Sequence, residues 1–408
     1  MPETTATSAV LPPPARRVGT GGLVPAAALL WGLQFAFLSP ALALLLVDVF
    51  GASGAQVGAV LAVYNSAGFV FSLVLPAYAD RTGEDLPLLL ACGVLTVGLV
   101  VALAASRSLL VATVALVVLG APATSGTTLL FAYLRRTGFG PAAVLRTRSL
   151  LSVSWVAGPP VAAGVISAFG PRGILPMIAV VALGTIGVSG VLASASRRSG
   201  RREAQDDGGS APSVPLGRGA LIALAAVFVL LMAANSAAVS TMTLYVTKTL
   251  RADVTWAGVV LGVSAGLEVP AFLALGRLTR RVHPLTLVVS GVTAAVAYYV
   301  AAAAAPGPVV LVALQPLNSW FFAVVAGIGL TVAQSQTTRP GLATGLYNNA
   351  MRVGMILSGP LIAFASTTAM GYRGVFVGGA GLAAVALVAV PVVAWRAPHV
   401  RESLASAR

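Results

Sequence analysis

Residues 195–218 read ASRRSGRREAQDDGGSAPSVPLGR. This segment is polar, basic and rich in Gly, Ser and Pro, the composition of a linker. On its N-terminal side lie six apolar runs, at 23–49, 55–79, 86–105, 109–133, 143–168 and 174–194. Six more follow, at 219–245, 254–278, 285–305, 308–333, 341–367 and 374–395. A helix crosses a bilayer core with roughly 20 apolar residues, so each run is long enough to span once. The longer ones can tilt. The linker therefore divides the chain into two six-span halves, 23–194 and 219–395. Residues 1–22 and 396–408 are left as tails. The first tail, with Pro12-Pro13-Pro14, Arg16 and Arg17, has the composition of disordered chain. The first apolar run follows at once and is too long for a signal-peptide core, so no cleavage is expected.

Composition leads the same way. Of 408 residues, 58% are hydrophobic and 9% charged, and the mean hydropathy is +0.94. A soluble domain carries about a quarter charged residues, so an ordinary soluble enzyme is excluded, and so is a disordered chain. The runs are continuous rather than alternating, which argues against a membrane β-barrel. The expected fold is an all-α integral membrane protein: twelve transmembrane helices in two pseudo-symmetric six-helix bundles.

The net charge of +14 is almost all arginine, and Lys248 is the single lysine. The basic groups flank the apolar runs instead of forming one stripe, so no nucleic-acid partner is expected. With the N-terminus cytoplasmic, nineteen of the 25 basic residues fall on the cytoplasmic side and five on the other, with Arg352 inside a span. Both termini are cytoplasmic by the positive-inside rule. Cys92 lies alone in an apolar run and fits a small buried side chain. His283 and His399 have no metal-ligand spacing. No phosphate-cradling Gly-Lys-Ser/Thr loop and no nucleophile–base–orienter set is visible. Neither metal, cofactor nor enzymatic activity is expected.

The halves repeat each other. GPPVA at 158–162 aligns with GPLIA at 359–363, a shift of 201 residues, which also places Gly140 on Gly341, Gly170 on Gly371 and Arg172 on Arg373. A shift of 200 places Gly58 on Gly258 and Leu61 on Leu261. Two parallel repeats are the plan of a rocking transporter, with its substrate site near the midplane where they meet.

The end of span 2, Pro76-Ala77-Tyr78-Ala79-Asp80-Arg81-Thr82-Gly83, resembles the loop 2–3 signature of the major facilitator superfamily. It departs at Pro76, where that signature has glycine, and at Glu84-Asp85, where it has two basic residues. Span 5, from Arg148-Ser149 through Trp155 to Gly158-Pro159-Pro160, resembles the sugar efflux transporter family. So do Glu268-Val269-Pro270 in span 8 and Gln315-x-Leu317-Asn318 in span 10. In span 11 the likeness lies in Pro340-Gly341, Arg352-Val353-Gly354 and Ser358-Gly359-Pro360. The resemblance implies a secondary active transporter of the bacterial inner membrane, working as a monomer by alternating access. It implies export of sugars or small glycosides driven by protons. A multidrug antiporter of the same fold, a uniporter or importer, and a membrane sensor that moves nothing stand as alternatives.

Charge inside a span is costly and usually functional. Glu268 is the one acid near the middle of a span. It can carry protons between two access states, order span 8 through a fixed ion pair, or bind substrate. Arg352, three turns into span 11, is its natural counter-ion. Pro270 can kink the helix beside it. Arg148, one turn into span 5, can line the cavity, pair with an acid or snorkel to the interface. Sugars need hydrogen-bonding side chains and a flat ring to stack on. Gln34, Tyr64, Asn65, Asn235, Gln315, Asn318, Asn348, Asn349, Trp320 and Arg352 form the expected substrate set, although each amide could instead join helices. Asp80, Arg81 and Gly83 are expected at a cytoplasmic gate. Gly158, Pro159, Gly359 and Pro360 are expected to bend the rocking helices, and Gly258, Gly262 and Gly266 to allow close helix approach.

Overall fold

The computed structural model describes residues 22–137, 141–198, 218–279, 281–335 and 340–396. The tails and most of the linker lie outside them. Every described crossing is helical. In chain order these are α1 (Leu23–Asp48), α2 (Gly54–Thr82), α3 (Asp85–Ala105) and α4, which crosses over Leu109–Leu134 in pieces. Then come α5 (Pro141–Phe169) and α6 (Ile174–Arg198). In the second half these are followed by α7 (Arg218–Leu244), α8 (Thr255–Leu278), α9 (Pro284–Ala304) and α10, built of Pro308–Ala313 and Gln315–Ser335. The last two are α11 (Pro340–Thr367) and α12 (Arg373–Arg396). All twelve are long and apolar enough to cross a membrane.

The expected spans sit on these helices with two departures of kind: span 10 is interrupted at Leu314, between Ala313 and Gln315, and span 4 more deeply. Span 4 is not one helix. Leu109–Ala115 passes into a π turn at Leu116–Gly120 and a short turn at Ala121–Ala123, and a second helix runs from Gly126. Pro122 explains the break, since its ring bars a continuous i to i−4 ladder. Helix ends follow local chemistry. Ser53 and Gln56 form a reciprocal capping box at the start of α2, with Ser53 N donating to Gln56 Oε1 at 2.8 Å. Gly83 ends α2 at φ +69°, a left-handed conformation that favours glycine.

The repeat extends to the backbone. α1 ends with Phe50 N donating to Leu45 O and Ala52 N to Leu46 O; α7 ends with Leu250 N donating to Tyr245 O and Ala252 N to Val246 O. Each partner is shifted by 200 residues. Gly170 and Gly371, 201 apart, both have positive φ.

Three buried cores organise the molecule. One belongs to the N-terminal half, around Trp31, Leu89, Leu129 and Leu192. Another belongs to the C-terminal half, around Tyr245, Tyr299, Phe321 and Phe376. The third combines Leu44, Val57, Leu61 and Ile166 of the first half with Ala237, Val254, Ile362 and Val375 of the second. Its members lie toward the face that carries the α1–α2, α5–α6, α7–α8 and α11–α12 loops. The two halves thus share a core at this loop face. Toward the opposite, terminal face, where α1 begins and α12 ends, each half keeps its own core, with Val24 and Leu192 in the first and Val227 and Val390 in the second.

Candidate functional site

Three helix pairs draw the halves together, and a fourth close contact, between α5 and α1, lies within the N-terminal half. α2 meets α11 where Gly58 and Gly359 face each other so closely that a Cβ on either would fall on the other's carbonyl oxygen. α5 meets α8 in the matching place, with Gly258 against Pro159 and Ala163 and Gly262 against Pro160. α1 meets α7 through Thr243, whose hydroxyl donates to Pro40 O at 2.7 Å. Gly158 lets α5 approach Ala36 of α1. The absence of side chains lets these helices touch backbone to backbone.

The loop face is tied further by polar contacts. Lys248 Nζ lies 2.6 Å from Asp48 Oδ1. Asp253 accepts from Thr255 N at 2.8 Å within its own half and from Ser167 Oγ at 3.2 Å across to the other. These bonds hold the Asp253 carboxyl below its usual range, the Thr255 contacts contributing most. Burial and the neighbouring Asp48 charge hold the Tyr372 hydroxyl above its ordinary value. Asp48 and Lys248 were missed as a pair in the sequence, although they are 200 residues apart, the shift that already linked Gly58 to Gly258.

The deepest cross-half hydrogen bond among the described residues is Asn65 Nδ2 to Met355 O, at 3.1 Å. Toward the terminal face α8 still approaches α5 at Gly266, where a Cβ would lie 4.0 Å from Val156. Glu268 lies half-buried on α8, two residues further on. Among the described residues it has no ion-pair or hydrogen-bond partner. Arg352 is half-buried on α11 and likewise unpaired among them. The expected Glu268–Arg352 ion pair is therefore absent, because each side chain stands on a different helix with no contact between them. A fixed pair ordering α8 has no partner here.

The expected substrate set divides. Gln34 is buried and donates to Thr185 Oγ1 on α6 at 2.6 Å. Gln315 and Asn318 are buried, and Asn318 Nδ2 donates to Ser264 Oγ at 2.9 Å and to Gln315 Oε1 at 3.2 Å. Trp320 donates its indole proton to Ser290 Oγ at 3.1 Å, inside its own bundle. These four side chains bond to partners inside their own bundles. The physical reason is that an amide or indole in lipid satisfies itself on a neighbouring helix when one is within reach. Tyr64, Asn235 and Asn349 are half-buried on α2, α7 and α11, three of the helices that meet between the halves. The side chains of Arg148 and Asn348 lie outside the described residues.

At the terminal face Asp80 pairs with Arg136 of α4. Arg136 also donates to Ala79 O at 2.6 Å and lies 3.3 Å from the buried Asp85. The acid that replaces a basic residue of the expected signature is thus a third member of the cluster. Arg81 is exposed.

Two like six-helix bundles that share a core at one face are the architecture of a membrane carrier. The sequence pattern of the Major Facilitator Superfamily matches residues 26–359, and the chain belongs to that superfamily. It is 31% identical to sugar efflux transporter A of Dickeya chrysanthemi over 82% of this chain and 86% of that protein. It is 30% identical to a putative sugar efflux transporter of Deinococcus radiodurans, over 86% and 92%. Among solved structures it resembles a bacterial homologue of the human lysosomal transporter Spinster in an inward-facing conformation. That likeness has a TM-score of 0.74 and 13% identity, covering 97% of this chain and 99% of that one. It also resembles the nucleoside transporter NupG, with a TM-score of 0.72 and 14% identity over 92% and 99%.

Proposed function

We propose that this protein exports sugars or small glycosides across the bacterial inner membrane by alternating access, in exchange for protons. The sugar reading rests on relatives named sugar efflux transporters, which it matches along most of their length. The arginine distribution makes the terminal face cytoplasmic. In this reading the halves part toward the cytoplasm around a cleft, the state in which an exporter loads.

One observation carries the coupling: Glu268, a carboxyl at mid-span with no partner among the described residues. A carboxyl so placed is free to take a proton in one access state and release it in the other, which a paired carboxyl is not. Pro270 two residues later leaves a helix carbonyl without its donor, so α8 can bend there. Tyr64, Asn235, Asn349 and Arg352 are the groups that would hold hydroxylated substrate. A single chain holds both halves, and a monomer suffices.

The test is sugar-driven proton movement in proteoliposomes, wild type beside Glu268→Gln, with lactose and simple glucosides and a pH dye inside. The expected result is proton flux on sugar addition in the wild type, and sugar exchange without proton movement in the variant. Sugar flux that moves no protons in either protein makes the chain a uniporter and removes Glu268 from coupling. Proton flux with lipophilic cations but no sugar replaces the substrate class. Binding without flux leaves a sensor.

A further inference from the structure

The core of the N-terminal half holds four polar atoms that satisfy nothing. Trp31 Nε1, Gln34 Oε1, Ser125 Oγ and Ser189 Oγ have no hydrogen-bond partner among the described residues. The residues are 1%, 5%, 0% and 0% exposed. Nearly all buried polar groups in folded proteins are paired, so a cluster of exceptions calls for an occupant.

The four lie together. Gln34 of α1 reaches Thr185 of α6. The two helices run antiparallel, so one turn back along α1 and one turn on along α6 brings Trp31 level with Ser189. Trp31 shares its core with Leu192, one turn from Ser189, and with Leu129, whose N–H donates to Ser125 O. The benzo ring of Trp31 covers Gly126, where any Cβ would strike it, and Ser125 precedes that glycine at the break in α4. Three helices that meet in one core thus carry unpartnered polar atoms at neighbouring levels.

Their chemistry is complementary but does not close on itself. The indole can only donate and the free amide oxygen can only accept, whereas each hydroxyl does both. A water molecule needs two to four such partners. We infer that one or two water molecules are bound permanently between α1, α4 and α6, bridging Trp31, Gln34, Ser125 and Ser189. They hydrate the break in α4, where a proline and a π turn interrupt the backbone ladder. This inference does not depend on the substrate or on proton coupling.

Hydroxyl-radical footprinting of the full chain in proteoliposomes tests it, because X-ray radiolysis turns bound water into a local oxidant. Trp31 is expected to gain oxygen within a few-fold of the rate of the partly exposed Trp256, despite its own burial. Modification no faster than at Phe321 or Phe376, which are as buried and apolar, would overturn the inference. Ser189→Ala supplies a second reading with opposite signs. If water is bound, the change removes one of its partners and lowers the melting temperature. If the site is dry, it removes an unpaired hydroxyl, and the melting temperature rises or stays level.

Discussion

Asp48 and Lys248 occupy the same position in the two halves, 200 residues apart, and their charged groups meet at 2.6 Å. A residue and its own repeat mate touch only on the axis that relates the repeats. The pair therefore marks that axis at the loop face, with opposite charges where strict repetition would have set like beside like. The side chains are 28% and 43% exposed, and a pair so accessible contributes about 0–1 kcal/mol. That is at most about a fivefold change in the population of the closed loop face. Asp48→Ala is expected to raise the reactivity of Lys248, the chain's one lysine, toward a membrane-impermeant amine reagent by two- to fivefold. Peptide mass spectrometry separates that site from the terminal amine. Exchanging the two residues should restore protection, with the lysine now on α1. Unchanged reactivity in Asp48→Ala would show that the pair is not what guards the lysine.

Packing is expected to outweigh this charge pair. Gly58 and Gly359 bring α2 and α11 into backbone contact, and any side chain there must push the helices apart. Overpacking of such a contact costs about 1–3 kcal/mol. Gly58→Leu is expected to hold the loop face open and cut transport at least tenfold, while the detergent-solubilised protein still unfolds cooperatively. Gly276→Leu, where a Cβ meets nothing, is the control and should transport normally. Equal rates in both variants would show that closure does not pass through the α2–α11 contact.

The twelve crossings and the repeat were readable because both are written in long-range composition and in spacing. Gly258 was read as a close-approach glycine, and the structure presses it against α5; Gly58, Gly158 and Gly359, read as a repeat mate and as bends, lie at equally close contacts. What could not be read was direction around each helix. Lipid-facing and core-facing positions are both apolar in a membrane protein, so no hydrophobic stripe distinguishes the cleft side. Gln34, Gln315 and Asn318 looked like Asn235 and Asn349 for that reason, yet three of these amides point into a bundle. The break in α4 was hidden because Gly120, Pro122 and Ser125 stand in an otherwise apolar run. The polar pocket around Trp31 exists only in three dimensions, since its members are separated by up to 158 residues.

Arg136 is expected to matter more to stability than its position at a membrane edge suggests. It donates to the carbonyl of Ala79 near the end of α2 and faces both Asp80 and Asp85. Asp85 is 4% exposed, so losing the cation leaves a buried acid poorly compensated. Arg136→Ala is expected to cost about 1–3 kcal/mol, with a fall in melting temperature. Arg136→Lys should recover only part of it, because an ammonium lacks the planar fork that serves three acceptors at once. A Lys variant as stable as the wild type would reduce the cluster to simple charge balance.

Asp253 sets how the closed loop face responds to acid. Its carboxyl accepts from Thr255 and from Ser167 of the other half, and these bonds hold its pKa below the usual carboxylate value. Only the Ser167 bond crosses to the other half, so only its share of the depression favours closure, and that share is fully present above the ordinary pKa, about 3.9. The contribution falls away only as pH drops through the lowered value. Across pH 5–8 Asp253 therefore stays ionised, and its bond to Ser167 stays made. Any pH dependence of closure in that range must come from another group. Distance measurements between spin labels at the ends of α5 and α8 should show wild-type closure that does not change from pH 5 to 8, and a more open loop face in Asp253→Asn across that range. Below about pH 4 the wild type should open toward the variant's behaviour. A pH-dependent opening between 5 and 8 that Asp253→Asn abolishes would contradict this assignment.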